Sequence, residues 1–554
     1  MNECFEIMPL GGIGEFGMNC LAIRYGGEMI VLDAGMGFPE ETPYGVDIAI
    51  PDFSYLDQYA DELVALVLTH GHEDHIGAVP FFLKKFNVPV YASNLTAAFI
   101  DRKLEEHGIL DEVLVHRVEA GEEREIGLFD VGFIHASHSL VDCFSIAVTT
   151  DGGTIIHTGD YKIDETPVIG DPYDLEMLRE YGDRGVLALL ADSTNATVPG
   201  RTPSETAVIP DFKRIFEEAE GRLIVTTFSS SIHRLQIVFD IAAEFGRRVC
   251  LLGRSMLQNV ETAEELGFLE IDPETRVSLG ESRALPDDEV VYLVTGSQAE
   301  TRAVLWNLAT QSYKGLSIRK GDTVVLSARI IPGNEKRISK MIGAIYRNGG
   351  NIIEEKRRLI HVSGHASQED IRIMIESVRP RYLVPIHGEY RMLFRQKEFA
   401  RNHLGFSGED VMLVEDGDVL EVSSDGASII ERNEVLRIFI GDTNNEEIEF
   451  DTVRERKKLA FGGLVSLVLM VDETSGDVVG EPQITFSGVS INDKTNGFYP
   501  GVKDAVKKAY SELGKQNRAD RIQTEEALRL AVKKYLNKRV SGKPVIVTSV
   551  VSID

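Results

Sequence analysis

A cluster of potential metal ligands directly after an apolar stretch constrains this chain more than any other feature. Residues 63–69 read as a strand, and the segment HGHEDH follows it at positions 70–75. Core packing does not require such a cluster, whereas imidazole and carboxylate groups without thiolates suit zinc or manganese. The first two histidines alternate along one direction, while Asp74 and His75 lie a turn later, so these groups cannot all face one ion. The segment therefore predicts two adjacent metal ions.

The charge of the chain excludes nucleic-acid binding through a global electrostatic field. Its 554 residues are 43% hydrophobic, which suffices for several cores and excludes disorder as the main state. The chain has 58 Lys and Arg residues against 88 Asp and Glu residues, a net charge of −30, whereas proteins that attract nucleic acids over a distance are basic. Residues 451–554 are the exception, with 17 basic and 13 acidic residues. Any polyanion must therefore be bound locally.

Cysteine usage and hydropathy point to the cytoplasm. The cysteines are scattered without a CxxC pair, so they predict neither a disulfide framework nor a thiolate zinc site; they are Cys4, Cys20, Cys143 and Cys250. The first residues lack the charged and apolar regions of an export signal, and no apolar run approaches the roughly 20 residues that span a bilayer. We expect a cytoplasmic protein with no membrane partner.

The pattern of apolar runs divides the chain into several parts. Many short apolar runs separated by glycine-rich turns in residues 1–205 predict a sheet-rich α/β domain. In residues 206–350, apolar strands alternate with helical stretches, which indicates a parallel sheet covered on both faces. Residues 351–440 return to short strands, and the acidic stretch 441–455 is expected to be a linker. Residues 456–554 read as a small α+β unit, with two helical patterns before a last strand.

A glycine motif near the start invites a different interpretation. Residues 12–17 read GIGEFG, which satisfies GxGxxG after an apolar strand, and Asp33 lies at about the separation expected for a ribose contact. A dinucleotide site requires a helix after the glycines, whose N-terminus meets the pyrophosphate. Two short apolar runs around a Gly-Gly turn follow instead. We therefore expect a tight glycine loop beside the site that the sheet carries.

Over essentially its whole length, the chain resembles the ribonuclease J family, in the β-CASP branch of the metallo-β-lactamase superfamily. The matching segments are GGIGEFGMN, THGHEDHIGAVP, HTGDYKID, LLADSTNA, HVSGHAS and PIHGEYR. The resemblance implies an α/β fold with an αββα sandwich made of residues 1–205 and 351–440 and a parallel-sheet β-CASP domain inserted at 206–350. It also implies a small α+β C-terminal domain at 456–554 that supports assembly into a homodimer or homotetramer.

The resemblance implies two sets of metal ligands that share one carboxylate. Asp160, in HTGDYKID, would bridge the two ions, and His138, in HASHSLVD, would complete the first set, whereas His135 lies outside the pattern and reads as structural. One ion would be held by His70, His72, His138 and Asp160, and the other by Asp74, His75, Asp160 and His387. Two ions about 3.5–4 Å apart can hold a bridging hydroxide and neutralise a phosphodiester oxygen during in-line attack. Histidine ligands favour zinc, and the oxygen ligands admit manganese.

Two further residues match motifs of the β-CASP branch. They are Asp192, in LLADSTNA, and His365, in HVSGHAS. The resemblance implies that they orient the ligands and protonate or hydrogen-bond the leaving 3′ oxygen, so that Asp74, Asp192 and His365 are the catalytic candidates. His361, in the same segment as His365, is expected to be a neighbour of the centre rather than a ligand.

A serine cluster in the inserted domain is a candidate for phosphate binding. An apolar strand at 223–228 runs into Ser229, Ser230 and Ser231, and a helical pattern begins at Ile232. Hydroxyl groups and free N–H groups at a helix N-terminus form an anion site, although simple N-capping by serine is the alternative. The resemblance implies that these serines bind RNA, including its 5′-monophosphate end, together with His361, Val362, Ser363, Gly364 and His365. His233 and Arg234 read either as helpers of this site or as plain surface residues.

The hypothesis that combines these observations is a metal-dependent ribonuclease. It would cleave single-stranded RNA internally and from the 5′ end, preferring 5′-monophosphate ends, in mRNA decay and rRNA maturation, with other RNA-decay proteins as potential partners. One alternative is a hydrolase of small esters or thioesters, because the same metal loop serves many hydrolases. Another is a non-catalytic scaffold or nucleotide-binding protein. The acid-rich regions around Asp47 and Asp442 are candidates for a structural hard cation such as calcium.

Overall fold

The structure is a computed structural model that describes residues 4–39, 45–331, 333–441, 446–492, 497–514, 518 and 520–553. The chain folds into two compact units. The first comprises Met1–Glu40 and Ile48–Arg437, and the second comprises Glu41–Asp47 and Ile438–Asp554. Within the described ranges, no helix combines the length and the apolar composition needed to cross a bilayer.

The first part of the chain, up to residue 208, alternates strands with short helices. In chain order its elements are β1 (Phe5–Gly11), β2 (Ile13–Gly14), β3 (Cys20–Tyr25), β4 (Glu28–Leu32), β5 (Val46–Pro51), a 3₁₀ helix (Phe53–Glu62), β6 (Leu63–Val67), α1 (Glu73–Ile76), α2 (Val79–Lys85), β7 (Val90–Ala92), α3 (Asn94–Glu106), a 3₁₀ turn (Leu110–Glu112), β8 (Val115–Arg117), β9 (Glu123–Ile126), β10 (Phe129–Ala136), β11 (Cys143–Thr150), β12 (Gly153–His157), α4 (Leu175–Arg184), β13 (Ala188–Asp192) and a 3₁₀ turn (Glu205–Val208).

The next part forms a separate parallel sheet. Its elements are α5 (Ile209–Glu218), β14 (Leu223–Thr226), α6 (Ile232–Glu244), β15 (Arg248–Leu252), α7 (Arg254–Glu265), α8 (Leu279–Ser282), a 3₁₀ turn (Asp287–Glu289), β16 (Val290–Val294), α9 (Val304–Ala309), β17 (Thr323–Leu326), α10 (Glu335–Arg347) and β18 (Asn351–Glu354). The strands lie in the order β15-β16-β14-β17-β18, and all four pairings are parallel. Nearly every residue of the first four strands is buried, as expected for a parallel sheet covered by helices on both faces.

The chain then returns to the first region. The elements of this stretch are α11 (Gln368–Val378), β19 (Tyr382–Ile386), β20 (Gly388–Glu389), α12 (Tyr390–His403), β21 (Asp418–Val422) and β22 (Ala427–Arg432). They complete an eight-stranded sheet of order β22-β21-β1-β3-β4-β6-β7-β8 and a six-stranded sheet of order β19-β13-β12-β11-β10-β9. This is the sandwich expected for a metallo-β-lactamase fold.

One hydrophobic core joins the two sheets of the sandwich. It includes Ile23, Ile30 and Leu32 from the eight-stranded sheet and Phe133 and Phe144 from the six-stranded sheet, all buried. Burial of each such side chain stabilises the fold by roughly 1.5–3 kcal/mol. The core therefore fixes the positions of the strand ends from which the candidate site is built.

The second unit has its own small core. Its elements are β23 (Arg437–Gly441), β24 (Glu447–Ile448), α13 (Phe450–Gly462), β25 (Leu464–Asp472), β26 (Gln483–Ser487), β27 (Ser490–Ile491), α14 (Phe498–Glu512), α15 (Arg521–Leu536), β28 (Val540–Ser541) and β29 (Val545–Ile553). Alternate residues of β25 are buried, and they pack with apolar residues of α14 and α15. The described part of 441–455, expected as a linker, contains β24 and the start of α13, since residues 450–462 are rich in good helix formers.

Candidate metal centre

The candidate centre lies where several strands of the sandwich end. β12, β13 and β19 are parallel neighbours in one sheet, and Asp160, Asp192 and His387 lie at or just beyond their carboxyl ends. The segment HGHEDH at 70–75 follows β6 of the other sheet and runs into α1. Because the carboxyl ends of parallel strands meet at one edge, side chains far apart in sequence converge there.

The first group of potential ligands consists of His70, His72, His138 and Asp160, whose ligand atoms all lie within 4.8 Å of one another. Nε2 of His70 lies 3.8 Å from Oδ2 of Asp160, and Nε2 of His138 lies 3.9 Å from the same oxygen. Nδ1 of His72 lies 3.0 Å from Nε2 of His70 and 3.2 Å from Nε2 of His138. These atoms converge on one point, as the ligands of a single ion do.

The second group consists of Asp74, His75, Asp160 and His387. Oδ1 of Asp160 lies 3.3 Å from Nε2 of His75 and 3.4 Å from Nε2 of His387. Oδ2 of Asp74 lies 3.5 Å from Nε2 of His387. Asp160 thus directs one carboxylate oxygen to each group, which is the arrangement of a bridging ligand.

The chemistry of these residues fits divalent cations. Oδ1 of Asp160 and Nε2 of His387 are buried and have no hydrogen-bond partner among the described residues, although buried polar atoms are normally satisfied. Burial lowers the pKa of His70, His72 and His138, so their rings are neutral and able to ligate near pH 7. Neutral imidazoles around a shared carboxylate are a typical zinc donor set.

The second group attracts positive charge. Burial alone would favour the neutral form of His387, but Asp160, Asp74 and Asp192 outweigh burial and raise the pKa of His387 to about 9. The pKa of His75 is likewise raised, because Asp160, Asp33 and Asp74 outweigh the effect of burial. The carboxylates that keep these two buried rings protonated carry a local negative charge. A divalent cation would neutralise that charge.

The second ring nitrogen of each of three buried histidines is held by a neighbouring group. Nδ1 of His75 lies 2.7 Å from Oδ2 of Asp33, and Nδ1 of His387 lies 2.8 Å from Oγ1 of Thr194. Nδ1 of His138 donates to the carbonyl oxygen of Gly364 at 2.8 Å. Such partners fix the ring orientation and the tautomer. The sequence does not reveal the roles of Asp33 and Thr194; its only signal is that each lies close to the end of a strand.

The glycine loop near the start of the chain supports Asp74. The backbone N–H and Nδ2 of Asn19 both donate to the Asp74 carbonyl oxygen at 3.0 Å. Gly12 has φ +90°, and a Cβ on it would lie 2.4 Å from Oδ1 of Asn19. The chain continues from this loop into β3, not into a helix. The GxGxxG pattern therefore forms a tight loop beside the site and lacks the helix of a dinucleotide site.

Asp192 and His365 lie beside the second group. Oδ2 of Asp192 accepts a hydrogen bond from Nδ1 of His365 at 2.8 Å. Burial would lower the pKa of His365, but Asp192 and Asp160 outweigh burial and raise it. The pair therefore favours a protonated ring at the edge of the metal centre. By contrast, Nε2 of His135 lies 2.9 Å from the carbonyl oxygen of Asp171, and His135 is not part of either ligand group.

The serine cluster precedes α6 and is half-buried. Ser231 is the N-cap residue of α6, but its side chain makes no capping hydrogen bond. Oγ of Ser229 accepts a hydrogen bond from Nδ2 of Asn259 at 3.3 Å. Simple N-capping therefore does not account for the hydroxyl groups of this loop.

The segment 361–365 lies between the sandwich and the inserted sheet. Its Val362 is buried, and Oγ of Ser363 accepts a hydrogen bond from Nδ2 of Asn195 at 2.8 Å. Gly364 lies against His138, since a Cβ on it would lie 2.5 Å from Cε1 of that ring. Burial lowers the pKa of His361 to about 3. The segment thus supports the first ligand group through the contact of Gly364 with His138.

His233 and Arg234 are not surface residues, although the sequence left that interpretation open. Arg234 is 2% exposed, and its Nη2 lies 2.6 Å from Oε2 of Glu205. Its Nη1 donates to the carbonyl oxygen of Ile360 at 2.7 Å. Arg234 therefore holds the residue that precedes the segment 361–365, and Glu205 already neutralises its charge.

Models of four protein families match successive parts of the chain. They describe the metallo-β-lactamase superfamily (residues 13–198), the β-CASP domain of ribonuclease J (220–345), the RNA specificity domain of Zn-dependent metallo-hydrolases (351–409) and the C-terminal domain of ribonuclease J (451–553). Together with the sandwich and its cluster of His and Asp residues, they define a metal-dependent hydrolase of the metallo-β-lactamase superfamily that carries a β-CASP insertion.

Comparison with individual proteins narrows this class. Ribonuclease J of Synechocystis sp. is 39% identical over 498 residues, which cover 88% of this chain and 76% of that protein. Ribonuclease J 1 of Streptococcus pyogenes is 35% identical over 556 residues, covering 99% of this chain and 98% of that one. A crystal structure of a protein of unknown function from Enterococcus faecalis V583 shares the fold, with a TM-score of 0.51 at 14% identity over 79% of this chain and 100% of that chain. The chain belongs to the ribonuclease J family, and it is a metal-dependent ribonuclease that binds RNA and cleaves phosphodiester bonds.

Proposed function

We propose that this ribonuclease uses two divalent metal ions, one held by His70, His72, His138 and Asp160 and the other by Asp74, His75, Asp160 and His387. The observation that carries the proposal is the orientation of Asp160, whose two oxygens face separate ligand groups. The histidine-rich donor set favours zinc, and the carboxylates admit manganese. Two such ions would supply Lewis-acid stabilisation of the phosphoryl group and an activated water.

The residues beside the ions provide acid catalysis. In the proposed reaction, the water releases one proton to solvent as its oxygen forms a bond to phosphorus, the bond from phosphorus to O3′ breaks, and the products carry a 5′-phosphate and a 3′-hydroxyl. His365 donates the proton that the leaving O3′ requires, and Asp192 holds the ring and keeps it protonated. Asp74 contributes as a carboxylate of the second ligand group.

RNA would lie in the cleft between the sandwich and the inserted sheet. We propose that Ser229, Ser230 and Ser231 bind phosphate together with His361, Val362, Ser363, Gly364 and His365. The hydroxyl of Ser231 makes no capping bond, and the positive end of the α6 dipole attracts anions. A pocket that accepts one terminal phosphate rejects a triphosphate by its size, which supports 5′-to-3′ cleavage of 5′-monophosphorylated single strands in addition to internal cleavage.

Several broader features belong to the same proposal. The chain would divide into a sandwich (1–205 and 351–440), a β-CASP domain (206–350), a linker (441–455) and a C-terminal domain (456–554) that mediates dimer or tetramer formation. We also propose a cytoplasmic role in mRNA decay and rRNA maturation, with other RNA-decay proteins as partners. Of the regions considered for calcium, Asp442 and the side chain of Asp47 lie outside the described residues.

A time course with one RNA, labelled at its 3′ end and carrying either a 5′-monophosphate or a 5′-triphosphate, tests the proposal. Native protein with zinc or manganese should remove the monophosphorylated RNA faster, with internal fragments from both forms reporting endonuclease activity. Asp74→Ala should abolish both reactions, and His135→Ala, a histidine outside the ligand groups, should leave them intact. Equal rates for both 5′ ends without internal fragments would contradict the proposed end preference and the internal cleavage.

A further inference from the structure

Arg329 lies at the carboxyl edge of the inserted parallel sheet, just after β17. β17 pairs with β14 in parallel, and the serine cluster Ser229–Ser231 follows β14. The segments that follow two neighbouring parallel strands lie side by side at one edge of the sheet, where ligands bind in such folds. Arg329 is therefore a neighbour of the loop proposed to bind phosphate.

A buried amide fixes the backbone at Arg329. Gln298, which is 4% exposed, donates from Nε2 to the Arg329 carbonyl oxygen at 2.9 Å, and its Oε1 accepts from the N–H of Ile331 at 2.9 Å. Two bonds from one buried side chain hold the segment after β17 in a defined conformation. The guanidinium therefore extends from a backbone segment whose conformation is fixed by hydrogen bonds.

The guanidinium is connected to the catalytic segment through one residue. Its Nη1 donates to Oδ1 of Asn195 at 3.2 Å. Nδ2 of the same Asn195 donates to Oγ of Ser363 at 2.8 Å and to the carbonyl oxygen of His365 at 3.0 Å. Asn195 therefore aims the guanidinium at the cleft beside His365.

Arg329 differs from the buried arginines of the same domain in its charge balance. Arg222 lies 2.6 Å from a carboxylate oxygen of Asp322, and Arg234 lies 2.6 Å from one of Glu205. Arg329 is exposed, and within the described ranges no carboxylate oxygen lies within 4.0 Å of its guanidinium. The amide oxygen of Asn195 orients this charge without neutralising it. Although the chain has a net charge of −30, this oriented cation has no carboxylate partner among the described residues. Such a group in the cleft is suited to bind an anion.

We propose that Arg329 binds a phosphate group of the RNA substrate next to the metal centre. This rests on the proposed function of the cleft as the RNA site. The planar guanidinium forms paired hydrogen bonds to phosphate oxygens, which Lys does not reproduce. The phosphate is either the terminal 5′-monophosphate or an internal phosphate of the chain, and both have the same recognition chemistry.

RNA binding as a function of salt concentration tests this proposal. Affinity for a single strand falls with salt in proportion to the number of phosphates contacted, with a slope of roughly −0.7 per contact in a double-logarithmic plot. Affinity is measured in the Asp74→Ala background, so that the RNA stays intact, with and without Arg329→Ala. Arg329→Ala should lower the affinity about tenfold and make the slope shallower by about 0.7. Arg329→Lys should keep the slope and recover part of the affinity.

Arg347→Ala is the matched control. Arg347 is an exposed arginine at the end of α10 in the same domain, and because α10 leads into β18, it lies at the opposite edge of the sheet. We expect its substitution to change neither the affinity nor the slope. Thermal unfolding of each variant verifies that the fold is retained.

The same measurements with RNA bearing a 5′-phosphate or a 5′-hydroxyl identify the phosphate. An equal loss for both RNAs assigns Arg329 to an internal phosphate, and a loss confined to the phosphorylated RNA assigns it to the terminal one. An unchanged slope and affinity in folded Arg329→Ala protein would overturn this inference alone. The proposed function fails separately, if native protein with metal does not cleave either RNA.

Discussion

Oδ2 of Asp192 accepts a hydrogen bond of 2.8 Å from Nδ1 of His365, across 173 residues of sequence. Asp192 is the last residue of β13, whereas His365 follows the inserted sheet. The bond therefore links the end of a core strand of the sandwich to a segment that lies between the sandwich and the inserted sheet. It leaves Nε2 of His365 available for the acid role proposed above.

Asp192→Asn should impair acid catalysis and shift its pH dependence. Asp192 raises the pKa of His365, so its replacement lowers that pKa, and the ring loses its proton at a lower pH. We expect kcat to fall about 10²-fold at neutral pH, and the decline of kcat at alkaline pH to begin at lower pH than in the native protein. The pH profile of kcat between pH 5 and 9 checks this. Asp151→Asn, in an exposed turn, is the control, and coincident profiles for both variants would exclude the acid role.

Asn19→Ala should weaken one metal site selectively. The amide of Asn19 donates to the Asp74 carbonyl oxygen at 3.0 Å and lies 3.1 Å from Nε2 of His75. Loss of such a supporting contact typically lowers metal affinity about 10–100-fold. Titration of metal-free protein with zinc in the presence of a chelator, followed by metal analysis, should show one ion bound normally and one bound weakly.

The control for Asn19→Ala is Asn87→Ala. Asn87 also donates from Nδ2 to a carbonyl oxygen, that of Glu112 at 3.2 Å, but on the exposed surface. We expect it to retain both ions. Retention of both ions by Asn19→Ala, with native affinity, would mean that the backbone bond of Asn19 suffices to hold Asp74.

The sequence predicts those parts of this site whose residues are close together along the chain. The segment HGHEDH predicts a metal site because four potential ligand side chains follow one strand. Asp33 and Thr194 give no such signal, since their partners His75 and His387 lie in segments that follow other strands, and only the order of the strands in the sheets brings them together. The two-sheet sandwich itself rested on the resemblance of the motifs, because short apolar runs do not reveal which strands pair.

Arg234 shows that the sequence also does not reveal which charged residues are paired inside the protein. A basic residue next to a serine cluster predicts phosphate binding, and the helix that contains it begins at Ile232 as its pattern indicates. The sequence does not reveal that Glu205 neutralises Arg234 inside the protein. For Arg329, by contrast, no motif in the sequence predicts a role, since it simply follows a strand. Its position beside the serine cluster depends on the pairing of β14 with β17.

Glu205→Gln should destabilise the protein in a pH-dependent manner. Glu205 is 3% exposed and lies 2.6 Å from Arg234 and 3.3 Å from Nζ of Lys162. Its removal leaves two buried cations without their shared carboxylate, which typically costs about 3–5 kcal/mol. Burial would raise the pKa of Glu205, but Arg234 and Lys162 outweigh burial and lower it from 4.5 to about 2.

Because the pKa is lowered in the folded state, Glu205 stabilises the fold above pH 4.5, and this stabilisation is lost as the pH falls towards 2. The difference in free energy of unfolding between native protein and Glu205→Gln should therefore shrink over that range. Denaturant unfolding at several pH values measures it. Glu217→Gln, at an exposed position of α5, should behave as the native protein does, and a constant difference at all pH values would contradict the ionic origin.

Gly35→Ala should damage the metal centre through the backbone. A Cβ on Gly35 would lie 1.7 Å from the Asp74 carbonyl oxygen and 2.8 Å from the backbone nitrogen of Asn19. Neither atom belongs to a flexible side chain, so the bonds between Asn19 and Asp74 must shift to make room. We expect a loss of about 1–3 kcal/mol in the free energy of unfolding of the metal-free protein, together with weaker binding of one ion. Gly426→Ala provides the control, because a Cβ there meets nothing within 4 Å, and its effect should stay within about 0.5 kcal/mol. Equal stability and equal metal content of the two variants would show that Asp74 is not held by the backbone around Gly35.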